Sequence, residues 1–236
     1  MGLLRGFLAP FRGAAFVARH RLWGYVLLPI LVNAALSGTT LYFAARYVRR
    51  ELATLFVSSP TVAWILLVVL TMLLGTVLFI VAQPIVGAPF CDLLSEKVEE
   101  KVRGTRPSVG FFSAAFRSVL HGLLKAVFYA AALLLGIALS AVTGVGGAVG
   151  LAFGAVFLAY DGFDYPLARR NASFADKWRY LAAHPGLTAG YGLGTTLLYL
   201  IPFAILIAPP FAAAGATLAF LNASGDPPIS TKGDLR

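Results

Sequence analysis

Two apolar runs, residues 23–45 and 61–82, decide what this chain can fold into. Each is about 22 residues long, and a helix of that length reaches ~33 Å, enough to cross a hydrocarbon core of about 30 Å. The rest of the sequence agrees. Hydrophobic residues make up 59% and charged residues 12%, where soluble domains run near ~45–50% and ~25%. The sequence therefore predicts an all-α integral membrane protein, and no polar stretch is long enough to fold a separate soluble domain. A single membrane domain over 1–221 is expected, followed by a disordered polar tail over 222–236. No cleavable leader is expected, because the run that begins at Leu22 is longer than a signal core and ends at Arg46.

The net charge of +9 could suggest nucleic acid in a soluble protein. Here the basic residues flank apolar spans, which fits lipid headgroups and topology, and no basic patch is interleaved with aromatics as nucleic-acid binding would need. Arginine and lysine sit before the first span (Arg5, Arg12, Arg19, Arg21), in 83–118 (Lys97, Lys101, Arg103, Arg106, Arg117), in 161–188 (Arg169, Arg170, Lys177, Arg179) and in the tail. Fewer lie in the connector after the first span (Arg46, Arg49, Arg50). The positive-inside rule then puts both termini in the cytoplasm of a bacterial inner membrane.

The segments between the spans read as breaks and amphipathic helices. Arg5, Arg12 and Arg19 recur at heptad intervals with apolar residues between them. Two readings fit: an interfacial helix interrupted at Pro10, or a charged flank. QPIVGAP, with Pro84 and Pro89, is expected to break the second span, and Asp92 to cap a new amphipathic helix ending at Gly104. The regions 119–160 and 189–221 are each interrupted, by TGVGG and by Pro202 with Pro209-Pro210. The pieces after the breaks, 148–160 and 211–221, would be ~20 and ~16 Å long. Both regions read as partly inserted helical hairpins, tolerated only if other helices or subunits cover them. Asp161, Asp164, Tyr165 and Pro166 read as a turn where the first hairpin surfaces, with Arg169 and Arg170 as anchors pairing with Asp161 or Asp164.

Few residues suit chemistry. Cys91 is the sole cysteine, and His20, His121 and His184 lack partners at ligand spacing, so neither a metal nor a cofactor is expected. No Ser–His–carboxylate set is evident, so the chain is not expected to be an enzyme. Arg19 and Arg21 could dock an anion or anchor topology, and their spacing puts them on different faces of a helix, so a joint clamp needs non-helical backbone. Lys125 could snorkel or line a pore, and Asn33, inside the first span, could bond another helix or line a path.

VLLPILVN at 26–33 (with Pro29), QPIVGAPFCDLLSEKVEEKVRG at 83–104, DYPLARRNASF at 164–174 and LIPFAILIAPPFAAAGATLAF at 200–220 together resemble the CysZ-type sulfate permeases, members of the etoposide-induced-protein domain family of bacterial inner-membrane proteins. The resemblance implies two long transmembrane helices, two partly inserted hairpins, homo-oligomers and sulfate uptake feeding cysteine synthesis. The better-known members resemble one another in a Gly-hydrophobic-Arg-Arg stretch before the first span, where sulfate is thought to bind. Counted from Pro29, that arginine pair would fall at Trp23 and Gly24. The expectation is an oxyanion permease with Arg19, Arg21 and Lys125 as anion-binding residues. The alternative is a non-transporting scaffold or partner-binding protein of the same fold.

Overall fold

In a computed structural model, residues 2–55, 60–104, 146–201 and 204–224 are described. The helices are α1 (Gly2–Arg19), α2 (Gly24–Leu55), α3 (Pro60–Arg103), α4 (Gly146–Ala168), α5 (Phe174–Ala183), α6 (Pro185–Leu200) and α7 (Ala208–Ala223), with a 3-10 turn at Ala204–Leu206. There is no strand among the described residues, so the all-α expectation holds. One stretch, Gly24–Phe43 in α2, is long and apolar enough to cross a membrane among the described residues. The second expected span falls in α3, where the shorter apolar stretch Trp64–Leu73 is described.

The chain divides into two compact units. One, Leu27–Ala88, carries α2 from Leu27 to its end and α3 as far as Ala88. It leaves large apolar side chains exposed, among them Leu31, Phe43, Trp64 and Met72. The other joins Met1–Val26 to Pro89–Arg236 and holds the buried core.

That core is organised around α1. The helix buries a face of small residues, Gly6, Ala9, Pro10, Gly13 and Val17, while Arg5, Arg12 and Arg19 stay exposed. It packs mainly on α6 and α7. The approach is backbone to backbone: a Cβ at Gly13 would collide with the Phe211 carbonyl and Gly215, and one at Gly194 with the Phe7 carbonyl. Small residues allow such contact, and close packing rather than apolar burial holds helices together where the surroundings are apolar. Neither expectation for this segment stands alone, because α1 is a packed core helix. Pro10 does not break it, since the ring is buried and its Cα lies against Gly215.

Other breaks also move. α3 is one helix of 44 residues, ~66 Å long. It runs through Pro84 and Pro89, so QPIVGAP does not break the helix, and Asp92 lies inside it and is not its N-cap. α4 has 23 residues (~34 Å) and continues through Asp161, Asp164, Tyr165 and Pro166 to Ala168, longer than the piece expected after TGVGG. The reversal lies beyond it, where Asn171 takes φ 53° and its N–H donates to the Ala168 carbonyl. In the second interrupted region the break is at 201–207, and Pro209-Pro210 open α7 instead of splitting a helix. Proline is tolerated in the first helical turn because its missing N–H has no partner there. α7 has 16 residues (~24 Å) and ends at Ala223, so Asn222 belongs to the helix. Lys125, Pro202, the first arm of the first hairpin and the tail from 225 lie outside the described residues.

Candidate functional site

Asp92, Ser95, Glu99 and Arg103 stand three or four residues apart on α3, hence on one helix face. The amphipathic helix expected here implies a charged face turned to water. This face is not: Ser95 is fully buried and Glu99 is 2% exposed. What buries them is the end of α4 and the middle of α7. The Arg169 guanidinium donates from Nη1 to Asp92 Oδ1 (2.9 Å) and from Nη2 to Ser95 Oγ (2.6 Å), and lies 3.4 Å from Glu99 Oε2. Arg170 donates from Nη2 to Glu99 Oε1 (2.5 Å), and its guanidinium carbon sits 4.5 Å over the Phe220 ring. Arg103 reaches the same Glu99 Oε1 at 3.4 Å.

Two hydroxyls extend the network in one direction. Thr217 donates to the Ala213 carbonyl (2.8 Å), so it accepts from Ser95 at 2.5 Å, and Ser95 in turn accepts from Arg169. Each hydroxyl has one proton, and here each is committed. Burial lifts the Asp92 carboxyl above its ordinary range against the pull of Arg169. The pairing of Arg169 and Arg170 with Asp161 or Asp164 is thus corrected: their partners are Asp92 and Glu99. Asp164 pairs with the buried Lys177 at 2.5 Å. Pro166 lends its carbonyl to Arg170.

The residues expected to bind an anion lie elsewhere. Arg19 ends α1, and Arg21 follows in the turn to α2 with φ 55°, both exposed. The left-handed backbone at Arg21 lets its N–H reach the Ala18 carbonyl (3.3 Å) and the Leu22 N–H reach that of Val17 (3.0 Å). Glycine normally fills such a helix-ending position, since a side chain costs energy there. This is the non-helical backbone that a joint clamp by Arg19 and Arg21 requires. Trp23, where the arginine pair would begin, packs edge-on to Phe211 at 6.0 Å. Asn33 lies within α2, with its side chain outside the described residues, as is that of Pro84. Pro29 sits inside α2, and Pro89 and Pro209 are half-buried in α3 and α7. The arginine–carboxylate network was missed by sequence reasoning, although its 92–95–99–103 spacing was a signal of one shared face.

α5 bridges α4 and α6 with a capping box. Ser173 Oγ accepts from the Asp176 N–H (3.2 Å) and the Asp176 carboxylate accepts from the Ser173 N–H (3.1 Å). The Ser173 hydroxyl also donates to the Asp176 carboxylate (2.6 Å), and this bond, the Ser173 N–H and the Arg179 charge hold the Asp176 carboxyl below its usual range.

Helices built for close packing, one of them long and apolar enough to span a bilayer among the described residues, and polar chemistry concentrated in arginine describe an all-α chain. The chain belongs to the family described as sulfate transporter CysZ/etoposide-induced protein 2.4, whose profile matches residues 9–210. Its relatives include the sulfate transporter CysZ of Pseudomonas paraeruginosa, 28% identical over 91% of this chain and 93% of that protein. The sulfate transporter CysZ of Pectobacterium atrosepticum is 26% identical over 88% of this chain and 81% of its own length. That of Vibrio parahaemolyticus is 27% identical over 82% and 84%. These relatives are bacterial and carry transporter names, not enzyme names.

Proposed function

We propose that this chain is a bacterial inner-membrane permease for a small oxyanion, sulfate by relationship, and that it supplies sulfate for assimilation into cysteine. The observation that carries the reading is the family match along residues 9–210, with relatives named as sulfate transporters aligned over nearly their whole length. In this reading α2 and the first part of α3 cross the bilayer, both termini face the cytoplasm, and 1–221 is one membrane domain. Homo-oligomers cover the exposed apolar surface of α2 and α3. Arg19 and Arg21 dock the anion at the cytoplasmic mouth. The left-handed Arg21 supports this, because a charge kept where glycine is cheaper points to a use for the charge. Lys125 and Asn33 are assigned to the path.

Uptake of labelled sulfate by cells lacking their own uptake systems tests the reading. Expression of this chain is expected to restore uptake, and uptake at background with the protein present in the membrane contradicts it.

A non-transporting protein of the same fold is the second reading. It is favoured by Trp23 and Gly24 standing at the arginine-pair positions, with the indole engaged on Phe211. The double variant Trp23→Arg/Gly24→Arg separates the two: sulfate binding gained only by the variant supports the second reading, and binding already present without it supports the first.

A further inference from the structure

We propose that the buried arginine cluster between α3 and the end of α4 is a second station for a tetrahedral oxyanion, distinct from Arg19 and Arg21, with Glu99 acting as a tethered counter-ion that the anion displaces. The proposal rests on the permease reading.

Three guanidiniums, Arg103, Arg169 and Arg170, converge on the single Glu99 carboxylate. Only Arg170 closes to a short ion pair, at 2.5 Å, while Arg169 and Arg103 stay at 3.4 Å. Charge-assisted N–H to O bonds normally draw in to about 2.7–2.9 Å. One planar carboxylate cannot meet three guanidinium forks at once, whereas a tetrahedral dianion offers four oxygens pointing in four directions. The second observation is Arg169 Nε, a buried donor with no hydrogen-bond partner, on a side chain only 4% exposed. Ser95 and Thr217 have no proton left to give, so the donors that would hold a ligand here are the guanidinium N–H groups, and they call for an acceptor such as an oxyanion. Arg170 and Arg103, 32% and 21% exposed, form the open edge through which it would enter. Asp92, held by Arg169 at 2.9 Å, remains as the counter-charge that keeps the pocket near neutrality once Glu99 is displaced.

The test is sulfate titration of the purified full chain in nanodiscs, with folding of each variant checked by its melting curve. Glu99→Gln keeps the shape and one acceptor oxygen but removes the competing charge, and is expected to tighten sulfate binding about tenfold. Arg169→Lys keeps the charge but loses Nε–H and the fork, and is expected to weaken binding. Arg19→Ala/Arg21→Ala is expected to leave this response to Glu99→Gln intact. A purely structural role for Glu99 predicts no gain in affinity. Unchanged or weaker binding in Glu99→Gln overturns the proposal, and if that variant does not fold, unchanged binding in Arg169→Lys does so. No binding by the unaltered protein contradicts the permease reading itself. Binding by the unaltered protein that neither variant alters contradicts only this station.

Discussion

Arg21 shows how a single residue can work against the stability of its own turn. The left-handed backbone costs an L side chain about 1–2 kcal/mol. Arg21→Gly relieves that strain, offset in part by the extra freedom of glycine in the unfolded chain, so stability is expected to rise by about 0.5–1 kcal/mol. Sulfate affinity is expected to fall in the same variant. Thermal melts and sulfate titrations in detergent check the two signs, and an affinity that does not fall would remove Arg21 from the anion site. The left-handed turn itself was not legible in the sequence, because arginine carries no turn signal. Nor was the Arg169–Glu99 contact, which joins residues far apart in sequence. What was legible was the shortage of any other chemistry, from the lone Cys91 and the scattered histidines.

Among the elements, α1 departs most from what its sequence suggests. Its heptad arginines are exposed as the pattern implied, but the face that matters is the inconspicuous one of Gly6, Ala9, Pro10 and Gly13. Gly13→Val sets two methyl groups against the backbone of α7 and is expected to cost about 3 kcal/mol. Gly38→Ala, in α2 with open space around it, is expected to be neutral or stabilising by up to about 1 kcal/mol. Equal melting shifts in the two would contradict the packing account. Proline misled the reading of Pro10, Pro84, Pro89 and Pro166 in the same way: a local breaker was overridden by packing or by the length of a surrounding helix. The capping box of α5 could be read locally, as Ser173 followed three residues later by Asp176, though it was not singled out. Ser173→Ala is expected to cost about 1 kcal/mol in a melting experiment. The Asp176 carboxyl is lowered in the folded chain, so its contribution is fully present above the unfolded-state value of about 4 and is lost as pH falls through the lower folded value. The effect of Ser173→Ala should therefore shrink under strong acid.

For the molecule as a whole, the long apolar runs made the all-helical architecture legible, because a stretch of some twenty apolar residues has few alternatives to a helix. The assembly of Met1–Val26 with Pro89–Arg236 was not legible, since it depends on glycine contacts and ion pairs between distant segments. That unit brings the arginine-rich ends of α1, α3 and α4 into one body with its own core, and a transporter of anions needs such a concentration of fixed positive charge. Accumulation of labelled sulfate by liposomes containing only the purified protein tests this most directly. The account predicts uptake that depends on the protein and falls in Arg19→Ala/Arg21→Ala. Uptake no faster than in protein-free liposomes, from protein shown to be folded and inserted, would contradict it.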